Sequence, residues 1–82
     1  MDKREQEIRE IVADLKKLNL EKTAITSLID GMLVMFRNLD PRSQGEIDNL
    51  LEHITATEKR LLDNRNAVVK LKEKFDELRK NL

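Results

Sequence analysis

Apolar residues return at spacings of three and four from Ile8 to Leu39, and the phase never slips. In a heptad frame, Ile8, Leu15, Lys22, Ile29 and Phe36 take position a, and Ile11, Leu18, Ile25, Met32 and Leu39 take d. Nine of these ten positions are apolar. A repeat of this kind specifies a long helix with one buried seam and leaves little room for a sheet. It restarts after residue 44, with Ile47, Ile54, Leu61, Val68, Phe75 and Leu82 on a, and Leu50, Thr57, Asn64, Leu71 and Leu78 on d.

Between the two repeats stands the chain's one strong punctuation, Asn38-Leu39-Asp40-Pro41-Arg42-Ser43-Gln44-Gly45. Proline biases the residue before it away from helical backbone, so the first helix is expected to end by Leu39. Ser43 and Glu46 have the spacing of a capping box, and Asp40 with Pro41 is a rival helix start. The expected elements are a helix over about 3–39, a turn at 40–43 and a helix over about 44–81. Acidic Asp2, Glu5 and Glu7 open the first helix. The second begins with Glu46, Asp48 and Glu52 and ends with Lys70, Lys72, Lys74, Arg79 and Lys80, which suits the helix dipole at both ends. The segment from Asn19 to Thr23, followed by Thr26, Ser27 and Gly31, is a weak point because its Asn, Thr, Ser and Gly are mediocre helix formers. A break near residues 19–23 would give a three-helix bundle, but the unbroken heptad phase favours one continuous helix.

A short connection makes the helices antiparallel, so the fold class read from the sequence is an all-α coiled-coil hairpin. Two alignments compete. A longer turn sets Phe36 against Leu50, Met32 against Ile54, Leu18 against Val68 and Lys22 against Asn64. It adds flank pairs Glu5–Arg79 and Asp14–Lys74. A turn tightened at Asp40-Pro41 shifts the helices by a heptad and offers Glu5–Lys72, Glu7–Lys74 and Glu21–Arg60. The tighter turn sets Asn64 against Leu15, so the longer one is expected. Lys22 and Asn64 then form a polar layer that fixes register, as single buried polar residues do in coiled coils.

One stretch exceeds what a hairpin seam can hide. Seven of the nine residues from Leu28 to Phe36 are apolar. Ile29, Met32 and Phe36 belong to the seam, and Leu33 is expected to cover Leu51 along one flank. Leu28, Val34 and Met35 are left over. The expected partner surface therefore comprises Leu28, Ile29, Met32, Leu33, Val34, Met35, Phe36, Leu50, Leu51 and Ile54. Its expected occupant is a second copy, pairing two hairpins into a dimeric four-helix bundle, or the helix of another protein. Gly31 would allow close helix approach there.

The function classes follow by elimination. The chain has 82 residues, with 16 basic and 16 acidic side chains that cancel. No Cys and a single His, His53, leave no set of metal ligands with recognised spacing. No phosphate-binding glycine motif is present, and the carboxylates all lie where a solvated helix face would put them. No catalytic residue, cofactor or metal is expected. The N-terminus has no signal-peptide pattern and the longest apolar run, Met32 to Phe36, is far too short to span a bilayer, so a cytoplasmic location is expected. The reading is a small non-enzymatic protein–protein interaction module: an adaptor, assembly factor or regulator. The alternative is a nucleic-acid-binding regulator using a basic stripe, Arg65, Lys70, Lys72 and Arg79, on the second helix. No exposed aromatic is expected beside that stripe for base stacking.

Overall fold

The computed structural model describes residues 3–80, which form two helices, α1 (Lys3–Asn38) and α2 (Gln44–Lys80), packed as a hairpin. Among the described residues there is no strand. The molecule is a rod of 62 × 15 × 13 Å. Asp2, Asn81 and Leu82, which figure in the expected helix ends and seam, lie outside the described residues.

α1 runs through residues 19–23 without interruption, so the three-helix alternative is not formed. Burial in the seam holds the weak segment, while its threonines bond back onto their own helix. The Thr23 hydroxyl donates to the Asn19 carbonyl at 3.1 Å, and the Thr26 hydroxyl to the Lys22 carbonyl at 2.8 Å, so both find partners inside the helix. Ile25, only 2% exposed, anchors the same turn in the seam. Tertiary burial thus overrides local propensity here.

The turn is built by Asp40. Its Oδ1 accepts from the Arg42 N–H at 3.0 Å, and its carbonyl accepts from the Ser43 N–H at 2.9 Å. This is side-chain-supported turn chemistry, and it disposes of Asp40-Pro41 as the start of α2. Ser43 takes the N-cap position, with its carbonyl accepting the first helical bond from the Ile47 N–H at 3.0 Å. The side-chain bonds of a capping box do not form; instead Gln44 Nε2 donates to Asp48 Oδ1 at 3.1 Å.

The seam follows the heptad. Among the described residues, the buried apolar ones are Ile11, Ile25, Met32, Leu50 and Ile54, joined by Thr57 and Asn64. Near the turn Met32, Leu50 and Ile54 form one cluster, with Ile29 and Leu39 packed against it. Met32 beside Ile54 is the pairing that the longer turn requires; the tighter turn would oppose Met32 to Ile47. Both buried polar residues of the seam have partners. The Thr57 hydroxyl donates to the His53 carbonyl at 2.8 Å, and Asn64 Nδ2 donates to the Leu18 carbonyl of α1 at 2.9 Å.

The expected flank pairs do not form. Glu5 pairs with Arg9 on its own helix at 3.3 Å, and Arg79 lies over the Phe75 ring with 5.9 Å between guanidinium carbon and centroid. Both partners of the expected Glu5–Arg79 bridge are therefore engaged within their own helices. Exposed ion pairs contribute so little that core packing decides the alignment without them.

Candidate functional site

A heptad places residues on a helix at about 100° intervals, so the seam positions a and d occupy one side and f lies opposite them. A hairpin offers each helix a single neighbour, which covers the seam and only part of the flanking e and g positions. The structure sorts the expected partner surface by this rule. Met32, Leu50 and Ile54 are buried in the hairpin's own cluster and Ile29 is half-buried, so these four are core. Leu28, Leu33, Val34, Met35, Phe36 and Leu51 are exposed.

Two expectations need correction. Leu33 and Leu51 share the e flank but remain 46% and 45% exposed, so they do not cover each other. Two e residues of an antiparallel pair meet only at their edges, and a third layer is needed to seal them. Phe36 is 40% exposed despite its a position. It lies in the last full turn of α1, near the end of the seam, where a single facing helix leaves it open on its outer side.

The outward side of α1 carries more than the apolar excess near the turn. Leu20, Ala24, Ser27, Gly31 and Val34 repeat at spacings of four and three on positions f and c, with Leu28 and Met35 beside them on g. All are exposed, Leu20 at 71% and Met35 at 60%. An added Cβ at Gly31 would meet nothing within 4 Å, so the hairpin itself makes no use of the space that this glycine leaves. The sequence signal for Leu20 is this second three-and-four spacing, hidden behind the stronger seam. Small residues flanked by large apolar ones are the surface that two helices need to pack closely.

The other side of the rod is different. Lys22 and Asn64 stand at the same level and line the same groove, but they differ in burial: Asn64 is 3% exposed and bonds to the Leu18 carbonyl, while Lys22 is exposed. In a regular helix that carbonyl already accepts from the Lys22 N–H, so the amide of Asn64 sits at the level between residues 18 and 22. The ammonium has no place in a seam that already satisfies Asn64, and the side chain leaves for water. A groove of about 520 Å³ opens at this level, lined by Lys22 of α1 and, on α2, by Leu61, Leu62, Val68 and Val69 among others.

The basic stripe divides. Arg65 and Lys72 line this groove. Lys70 lies about 160° round the helix from Lys72 and cannot share a face with it. Arg79 is occupied over Phe75. His53 is exposed, and among the described residues no group of His, Cys, Asp or Glu is arranged to hold a metal ion. No helix among them is long and apolar enough to cross a membrane.

What the geometry defines is an antiparallel two-helix hairpin with two exposed surfaces, an apolar outward face on α1 and an amphipathic groove beside α2. No protein-family model, no curated protein and no solved structure matches the chain.

Proposed function

We propose that the chain is a small non-enzymatic protein–protein interaction module, an adaptor, assembly factor or regulator. It works through the outward face of α1 near the turn, and its first partner is a second copy that completes a four-helix bundle. The observation that carries this reading is the exposure of Leu28, Val34 and Met35 outside the seam, continuous with Leu20 and with the open space at Gly31. These side chains are about half-exposed, so full burial would gain each roughly 1 kcal/mol, half of the value for a whole side chain. A two-fold axis counts every such gain twice, which is why a second copy is the most economical occupant. The thin core supports the same conclusion, because a two-helix chain of this length buries little apolar surface alone.

Sedimentation equilibrium from low to high micromolar concentration tests it. The wild type is expected to approach the dimer mass while Met35→Glu stays monomeric, because a carboxylate at that position would be desolvated in the interface. Monomeric behaviour of both proteins at high micromolar concentration overturns the proposal.

A further inference from the structure

The groove beside α2 has features that the proposed dimer face does not use. Its floor is apolar and repeats at heptad spacing: Leu61 and Leu62, then Val68 and Val69 seven residues on. Leu62 and Val69 are about half-exposed, so the floor is an open shelf that an occupant would complete. Three cations line it, Lys22, Arg65 and Lys72, against one carboxylate, Glu58; on α2 the row of Glu58, Arg65 and Lys72 runs between the apolar rows Leu61–Val68 and Leu62–Val69. The chain as a whole is neutral, with 16 charges of each sign, so this excess is local. Lys22, at a seam position where the α1 heptad otherwise carries apolar residues, is exposed and lines the groove.

We propose that this groove docks an acidic amphipathic helix of a partner protein. Its apolar face lies on Leu62 and Val69, and its carboxylates meet Lys22, Arg65 and Lys72. The heptad repeat of the floor matches the i, i+3, i+4 and i+7 anchors of a helix laid along a groove. From Glu58 to Lys72 the groove runs about 21 Å at 1.5 Å per residue, the length of a helix of roughly 14 residues. Complementary charge within the groove sets orientation and partner choice, while the apolar rows supply the burial. Phosphate recognition fits less well, because half-exposed Leu62 and Val69 occupy the places where a nucleic-acid surface would carry further cations or stacking rings.

The test uses the full chain and two synthetic helical peptides of about 16 residues, long enough to span the groove. Both carry leucines at heptad a and d positions; one has glutamates on the flanks and the other has lysines. Binding is read by fluorescence anisotropy, and the site by amide shifts in ¹⁵N spectra. The acidic peptide is expected to saturate the protein, with shifts confined to residues near 22 and 58–72, and the basic peptide to bind at least about tenfold more weakly. Arg65→Glu with Lys72→Glu, checked for retained helicity, is expected to weaken the acidic peptide by at least about tenfold, as is Leu62→Asp. Lys22→Leu is expected to raise the melting temperature while lowering peptide affinity, a combination that a purely structural role for Lys22 does not produce. Equal binding of the two peptides, binding unaffected by the charge reversals, or no saturation at millimolar peptide would overturn the proposal. So would single-stranded RNA displacing the acidic peptide from the same residues. Peptide binding that survives in Met35→Glu separates this site from the proposed dimer face, whichever way the dimer experiment falls.

Discussion

Asn64 is the residue at which stability and register can be separated by experiment. Its amide is buried and donates to the Leu18 carbonyl at 2.9 Å. That carbonyl keeps its helical partner when Asn64 is removed, so no acceptor is orphaned and the loss is confined to the net worth of the hydrogen bond. Asn64→Ala should therefore cost about 0.5–1.5 kcal/mol. Asn64→Leu forfeits the same bond but buries a leucine side chain worth about 1.5–3 kcal/mol. The adjoining groove gives the larger side chain room, so little overpacking strain opposes the gain. A net stabilisation of about 1 kcal/mol follows, which for a chain of this size raises Tm by roughly 4–8 °C. The same change removes the obstacle to the tighter turn, in which position 64 faces Leu15. The two alignments differ by one heptad, about 10 Å along the rod. Thermal melts followed at 222 nm, at fixed protein concentration, measure the first effect. The chain has no native cysteine, so spin labels at Lys17→Cys and Lys70→Cys measure the second by electron–electron distance. Wild type should give one distance and Asn64→Leu two. A lower Tm for Asn64→Leu than for Asn64→Ala refutes the energetic argument, and one unchanged distance refutes the register role.

Other outcomes follow from the same structure. Ile25→Ala removes the most deeply buried side chain and should cost about 2–5 kcal/mol, enough to lose most helical signal at 37 °C; a loss below 1 kcal/mol in a urea titration would contradict the placement of the seam there. Gly31→Ala should stabilise the hairpin by roughly 0.5–1 kcal/mol, since its added methyl meets nothing, yet weaken self-association measured by sedimentation. A variant that gains stability with undiminished dimerisation would remove Gly31 from the interface. Arg9→Gln breaks the exposed Arg9–Glu5 pair and should shift stability by no more than about 0.5 kcal/mol. A melt displaced by many degrees would show that the pair supports more than its own turn.

The heptad phase by itself determined two long helices, their single turn and the residues of the seam. This follows because a period near 3.5 residues can be buried in only one way, and Asp40-Pro41 is the one place where the chain can reverse. Continuity through residues 19–23 was legible for the same reason: Leu18 and Ile25 remain in phase across the weak segment. The tertiary structure alone decided how far each flank is covered. Phe36 reads as core by position, and Leu33 and Leu51 read as a flank pair that covers itself, but one neighbouring helix leaves all three exposed. It also decided the partner of Asn64, because the amide can reach a backbone carbonyl that no side-chain pattern reveals. With Asn64 satisfied by Leu18, Lys22 is released to solvent. The polar layer that reads in the sequence as a register device is, in three dimensions, also the opening of a groove.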